Sequence, residues 1–446
     1  MRSYIHKIII ACCCLLPMAA GAQLKDPYEM NISGVKVIVQ PSGNDIVEVL
    51  TIIKGGVYNY TADKAGIENL AITALTECGT VKDDKNSFKN KLDKVSAQVG
   101  GGAGRDFSSF RMNCIRADLE QVWPLYVDAL TQPRFDAKEF ARMKQDAITG
   151  LKAEESNPDA AIDQLSMNLA FAGKAYAKRP QGTVATVGKL TAEETKAFYK
   201  KLLNRGRLTM VVVGEVPRAE LEQKISAMLD RIPAGQPFVV KKDSYTPPAN
   251  TIKPEQKDIA TNYIKGITGA PQPGTPDYNA FVLAMRIFYT RHFVEVRSNQ
   301  GLSYAPQVWF SGGLTPYANI YVTTTEPDKY VAVARNLIEK IKREGFTEKE
   351  LKDRKTGYIS ETYYRQETNS AMAGALASNE VIHGNWKRAM TVKDDMQKVS
   401  LADINRVFSK YITNITWAYQ GDPKKVNQAL YIQKDAPPLP KDVKTF

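Results

Sequence analysis

Two hydrophobic periods alternate along the chain. Val35 to Val39 and Ile46 to Ile53 alternate or run apolar between turn residues, the period of strands. Ile67 to Leu75 and Lys138 to Lys152 carry apolar residues at helical spacing. Thr191 to Leu203 predicts a helix that opens on a capping box, with Glu194 three residues after Thr191. Later come three long helical patterns, Tyr278 to Val296, Tyr330 to Arg343 and Thr347 to Thr368. Helices and strands interleave throughout, which predicts an α+β protein.

The pattern is written twice. Phe135 to Phe140 has a counterpart in Phe346 to Leu351, an offset of 211. Thr191 to Phe198 resembles Ser400 to Phe408, with the two phenylalanines 210 apart. Each segment leads into a β-rich run that closes on Gly and an acid, Gly214-Glu215 and Gly421-Asp422, 207 apart. Three anchors in one order at nearly one offset predict two homologous halves. Between them, Pro233 to Asp258 holds five prolines among polar residues and reads as a linker, with a hinge near Pro247. The expected organisation is 23–232, a linker over 233–258, and 259–446.

Residues 1–22 stand apart. Arg2 and Lys7 precede a short apolar core, Ile8 to Leu16, and Ala20-Gly21-Ala22 supplies small residues for cleavage before Gln23. That core is shorter than the ~20 residues a membrane span needs, so it predicts a removable signal peptide and an exported, periplasmic protein. The competing reading is a lipoprotein anchored through Cys12. Cys12, Cys13 and Cys14 leave with the leader. Cys78 and Cys114 remain, either paired by export or as two buried thiols.

The formal charge of +12 falls to +10 without Arg2 and Lys7, leaving 58 basic against 48 acidic residues. Basic and acidic residues interleave along Glu339 to Lys355, which describes a solvated helix surface rather than a nucleic-acid stripe. Gly100 to Arg105 lacks the Gly-Lys-Ser/Thr ending of a phosphate loop and precedes the strand-like Phe107 to Ile115. The residues alone read as a plain glycine-rich loop. Tyr358, Tyr363 and Tyr364 fall in one helix and read as core or half-buried surface.

Several segments carry a family resemblance. Lys64-Ala65-Gly66-Ile67 leads through a helix to Cys78-Gly79-Thr80, and Lys178 to Thr183 is followed by Leu190-Thr191 and Val212-Val213-Gly214. With the duplication, these segments resemble the pitrilysin (insulinase) family of zinc metallopeptidases, particularly its small bacterial and mitochondrial-processing-type members, from about Met30 to Lys425. The resemblance implies two pitrilysin-like domains in a clamshell arrangement and, at Gly100 to Arg105, a flexible entry to an edge strand able to accept an extended peptide. In catalytic members the first helix holds His-x-x-Glu-His, two imidazoles for zinc and a Glu that activates water. Here Asn69, Ile72 and Thr73 fall about where those residues would sit. After the leader only His292 and His383 remain, and no His-x-x-Glu-His or His-Glu-x-x-His spacing exists. Glu154 and Glu155 fall near the family's third-ligand region and read most simply as solvated acids on a helix end. No metal is expected in this chain.

The second half keeps a different part of the family pattern. Arg297, Gly301, Leu302 and Tyr304 stand in order, with seven residues from Arg to Tyr, resembling the family's helix-end Arg, Gly-Leu turn and strand-opening Tyr. The resemblance implies that Arg297 and Tyr304 hold substrate and stabilise the oxyanion at a zinc site, with Gly301 and Leu302 beside them. The residues alone allow a plainer role, Arg297 as a helix C-terminal cation and Tyr304 as a half-buried strand residue. The expectation is a non-catalytic subunit that pairs with a zinc-bearing subunit and supplies these residues in trans. Its alternatives are an inert peptide-binding or assembly protein of the same fold, and a self-sufficient hydrolase using other residues.

Overall fold

The structure, a computed structural model, describes residues 26–443, so the leader, its cleavage site and Cys12 lie outside the described residues. The first half forms a sheet of six strands: β1 (Tyr28–Ile32), β2 (Val35–Gln40), β3 (Ile46–Lys54), β4 (Gln98–Ala103), β5 (Phe107–Ile115) and β6 (Leu208–Val213). Their order is β1-β2-β6-β3-β5-β4. The second half forms a sheet of five, from β7 (Thr251–Gln256), β8 (Asn262–Thr268), β9 (Gln307–Ser311), β10 (Tyr317–Thr324) and β11 (Thr416–Gly421), in the order β7-β11-β8-β10-β9.

Without β1 the two orders are the same, and each contains one parallel pair, β2 with β6 and β7 with β11. Gly214 and Gly421, which close the repeated runs, have nearly equal φ angles of 150° and 154°. The duplication read from the sequence is therefore a duplication of topology, and the α+β expectation holds.

The strands form for the reasons their pattern gave. β3 and β6 are central and packed on both faces, so they are almost continuously apolar, whereas β5 alternates buried and half-exposed positions. Helix starts follow their caps. Thr347 with Glu350, and Ser400 with Asp403, form reciprocal capping boxes. Thr191 accepts from the Glu194 backbone at 3.1 Å, but the Glu194 carboxylate turns away to Lys64, so the expected box there is half made.

Each half is closed by a helix from the other. The second-half helix Asn369–His383 lies across β3 and β6 of the first sheet. Its Ala373, Leu376, Ala377 and Val381 bury against Ile38, Leu50, Ile52, Val211 and Val213. The first-half helix Pro158–Ala170 lies in turn against β8 and β11 of the second sheet. Polar contacts fix both seats. Asn369 donates to the Ile46 carbonyl at 2.7 Å, Ser370 to Glu48 at 2.7 Å, and Lys36 pairs with Glu380 at 2.7 Å. On the reciprocal side, the buried Lys265 of β8 pairs with Asp163.

The segment read as a linker is tied down. Residues 251–256 form β7, an edge strand that pairs only with β11, where the missing N–H of Pro254 costs no ladder bond on its open side. Tyr245 is buried and its hydroxyl meets Thr416 Oγ1 at 2.6 Å. The Pro247 and Pro248 carbonyls each accept from Asn414 at 3.1 Å, so the expected hinge near Pro247 is a fastened strap.

Because Leu376 sits in a core made by both halves, Leu376→Ala is expected to cost about 2–5 kcal/mol. Calorimetry should show one unfolding transition for both the variant and its parent. Two separable transitions would show that the halves fold independently.

Candidate functional site

The helix Asp277–Phe293 continues into one π-helical stretch, Val294–Asn299, that carries Arg297. A turn follows, with Gly301 at φ +63°, a left-handed conformation that suits glycine. The Gly301 N–H donates to the Arg297 carbonyl at 3.2 Å and the Leu302 N–H to Val296 at 2.9 Å. Buried Glu295 secures the turn, accepting from Asn299 and Gln300, both at 2.7 Å. The chain then delivers Tyr304 back over the helix end. The Arg297 guanidinium carbon lies 4.1 Å from the centre of the Tyr304 ring and 5.1 Å from that of Phe293.

This stack brings together the two residues that the sequence spacing singled out. Tyr304 is 79% exposed, unusual for an aromatic of a folded domain. No carboxylate is paired with Arg297 among the described residues. Gly301 is exposed beside the pair, while Leu302, expected at the substrate surface, is buried in the second-half core. It anchors the turn instead, because an apolar side chain there joins Val296 in the core.

The corresponding helix of the first half is Ile67–Glu77. Its entry depends on a close backbone approach, since a Cβ on Gly66 would lie 2.9 Å from the Gln181 carbonyl, and one on Gly182 2.5 Å from that of Ala65. Two of the segments that carried the resemblance thus pack on each other. The exposed edge of the helix has no room for metal chemistry. Asn69 accepts from the Ala103 N–H of β4 at 3.2 Å, and Ile72 is buried against Gly101. An amide engaged with a strand, a sec-butyl group and the half-buried Thr73 cannot replace two imidazoles and a carboxylate. The glycine run, expected as an entry to an edge strand, is itself in the edge strand β4. Glycine at 101 lets the Ile72 side chain approach the strand, a constraint that a loop reading does not reveal.

Glu68, next to Asn69, points the other way. It is buried, accepts from Ser108 at 2.5 Å and Asn59 at 2.8 Å, and burial raises its pKa to about 7. It stands within the protein rather than at its surface. Glu154 and Glu155 are exposed at a helix end, with Glu154 paired to Arg179. Cys78 and Cys114 are buried free thiols, which settles the alternative left open for them, and burial lifts their pKa values to about 12 and 11. Among the described residues no group of three or more His, Cys, Asp or Glu stands together in a way that can hold a metal ion.

Known proteins agree with this reading. Residues 189–358 match the family described as "Peptidase M16 inactive domain". Over those residues the chain resembles an M16 inactive domain. Across its length, the non-peptidase homolog YmxG of Helicobacter pylori is 20% identical over 429 residues, covering 92% of this chain and 98% of that one. An uncharacterized zinc protease of Streptomyces coelicolor is 21% identical over 341 residues, 72% of each chain. The solved structure of a peptidase M16 inactive domain from Pseudomonas fluorescens has a TM-score of 0.81 at 18% identity, covering 89% of this chain and 98% of that one. The periplasmic protease PqqL from Escherichia coli has a TM-score of 0.75 at 14% identity, and this chain spans 46% of it. The M16 fold, with its pitrilysin-like halves, thus extends over nearly the whole chain. No helix among the described residues is long and apolar enough to cross a membrane.

The two histidines beyond the leader serve packing. His292 is wholly buried, with Nε2 at 3.0 Å from the Tyr330 hydroxyl, and burial pulls its pKa down to about 3. Burial, then Arg388 and Lys242, lowers His383 to about 4. Each histidine binds a proton more readily unfolded, near pH 6.5, than folded. The stability each contributes is complete above pH 6.5 and is lost as pH falls toward its folded value. Urea midpoints should therefore decline below pH 6.5, by up to about 1.4 kcal/mol per pH unit for each histidine. His292→Asn should flatten the decline, and a parent midpoint unchanged between pH 7 and 5 would contradict this account.

Proposed function

We propose that this chain is the non-catalytic subunit of a heterodimeric, periplasmic metallopeptidase, and that Arg297 and Tyr304 work at the zinc site of a separate M16-type partner. The observation that carries the reading is the exposed stack of Arg297 on Tyr304. The first-half helix has no metal-ligand set, while the second half holds a cation and a phenol together at a helix end with no carboxylate paired to the cation among the described residues. The match to an inactive M16 domain supports the absence of turnover by the chain alone. The basic leader at 1–22 supports export.

The chemistry suits that role. Peptide hydrolysis builds negative charge on the scissile carbonyl oxygen, and a donor positioned there lowers the barrier. Tyr304 can donate its phenolic hydrogen to that oxygen. Arg297 carries five N–H donors and a permanent charge, which suits it to hold substrate carbonyls. Since stacking uses the face of the ring, it leaves the phenol O–H free. The two halves of this chain are fastened to each other, so a clamshell chamber would close between two chains, with zinc contributed by the partner.

A second reading, an inert peptide-binding or assembly protein of the same fold, is favoured by the edge strand β4. It is the last strand of its sheet and pairs with β5 on one side, and such an edge can take up an extended peptide by strand addition.

Mixing this chain with an M16 subunit bearing His-x-x-Glu-His from the same source, and following cleavage of an unfolded peptide, separates the readings. The expected outcome is activity in the mixture, with zinc bound only to the partner. Tyr304→Phe should lower kcat by roughly 10²–10³-fold, the loss of one oxyanion donor, with heterodimer formation unchanged on gel filtration. Full activity with both Tyr304→Phe and Arg297→Ala would remove the trans-donor role. Stoichiometric zinc and turnover in this chain alone would overturn the whole proposal.

A further inference from the structure

A cavity of about 630 Å³ in the second half is lined by neither Arg297 nor Tyr304. One wall is the helix Asp277–Phe293 and strand β9, and the others are the helices Glu348–Tyr364, Asn369–His383 and Arg388–Gln397. Its size falls within the range of small-ligand sites.

Its charge is one-sided. Four guanidinium groups line it, Arg286, Arg354, Arg365 and Arg388, against the single carboxylate of Glu361. Arg286 takes that carboxylate at 2.6 Å, and Arg365 reaches the same oxygen only at 3.9 Å. Arg354 donates to the neutral Thr290 hydroxyl at 2.9 Å, and Arg388 to the Asn279 carbonyl oxygen at 2.7 Å. Two further nitrogens, Arg388 Nε and His383 Nδ1, are buried without a hydrogen-bond partner. Unpaired buried donors and like-charged guanidiniums both cost stability, so their persistence around an open space calls for an anion. The depressed His383 is consistent with this, since burial and then the neighbouring Arg388 oppose its protonation.

The rest of the lining is apolar and aromatic. Val282, Met285, Val308, Phe310, Val392 and Met396 form its greasy part, with Tyr278, Trp309 and Tyr358 at its sides. The tyrosines are fixed in place, since Tyr278 donates to the Gly312 carbonyl at 2.8 Å and Arg286 stands 4.9 Å over the Tyr358 ring. An inorganic anion alone would leave this surface unused.

We propose that the cavity binds an amphipathic carboxylate, an apolar or aromatic body ending in a carboxylate that Arg354 and Arg388 hold. The C-terminus of a peptide that ends in a bulky apolar residue has this chemistry, and so does a fatty acid. The site is separate from the metallopeptidase proposal and can be tested on the isolated chain.

Calorimetry with an N-acetylated tripeptide ending in phenylalanine, with its C-terminal amide and with decanoate, decides the matter. The free-acid peptide is expected to bind, with the amide at least roughly tenfold weaker, as follows from loss of charge-assisted hydrogen bonds. Decanoate binding more tightly than the peptide would assign the site to a lipid source, and the reverse order to a peptide terminus. Arg388→Gln and Arg354→Gln should each weaken the acid by roughly tenfold, and Arg354, half-buried with a single hydrogen bond to the Thr290 hydroxyl, is the milder change for folding. Quenching of Trp309 on titration, lost in Trp309→Phe, places the ligand in this cavity. Equal binding of acid and amide, no binding of any of the three, or an unchanged affinity in both arginine variants would overturn the proposal.

Discussion

The exchange of one helix between the halves is the constraint on which the rest of the molecule rests. A sheet with helices on one face only leaves its other face bare, and neither half supplies its own cover. The helix Asn369–His383 closes the first sheet and Pro158–Ala170 closes the second, so neither apolar face can be buried until both halves are present. Around this exchange the remaining contacts are polar and specific. Half-buried Asp106 accepts from Tyr176 and from the Leu314 N–H at 3.0 Å, and the Tyr176 hydroxyl accepts in turn from the Thr315 N–H at 3.1 Å, which ties a second-half loop to the first half. The linker then has little to do beyond joining the two.

That interlock also decides where the chemistry can lie. A chain whose halves are fastened to each other is poorly placed to open by bending at its own linker, so in the proposed complex the movement that admits a peptide would lie between the two chains. The two helices that follow β3 and β8 have accordingly gone different ways. The first-half helix has been turned to packing, with Ile72 against Gly101 and Asn69 on the β4 backbone. The second-half helix ends outside the core and spends its last turn, Glu295 with Asn299 and Gln300, on holding Arg297 and Tyr304 in position.

Much of this was legible in the chain. The repeat at Phe135 and Phe346 and the paired Gly214 and Gly421 foretold the common topology, because each marks a structural joint, a helix start or a strand end. The Arg297–Tyr304 spacing was legible because the helix end and turn that join them are local. What was missed is tertiary. The helix Asn369–His383 is rich in Ala, Ser and Asn and has only a weak apolar stripe, because it covers a sheet rather than entering a core of its own, although Thr368 and Gly384 mark its ends. Strand β7 was hidden by Pro254, which an edge position tolerates. The arginine cavity has no sequence signature, since its arginines come from three helices, Arg354 and the C-cap Arg365 from one and Arg286 and Arg388 from two others, and meet only in three dimensions.

The stacked pair deserves to be treated as one unit rather than two residues. A lone exposed arginine samples many rotamers, and a lone exposed tyrosine has few contacts to hold it at a fixed angle. The ring quadrupole and the guanidinium attract each other by about 0.5–1 kcal/mol at an exposed site. That is too little to stabilise a fold, yet it is enough to bias two side chains toward one arrangement. Phe293, 5.1 Å from the guanidinium on the helix beneath, adds a second ring to the stack and ties the orientation to the rigid backbone. Preorganisation of this kind matters where charge develops during a reaction, because donors already in place need not reorganise. It matters far less in a surface used only for adhesion, where side chains can settle after contact. The energetic reason for keeping Arg297 on Tyr304 is thus one of geometry, and a geometry held outward, beyond its own core, is what the proposed role at a partner's site requires.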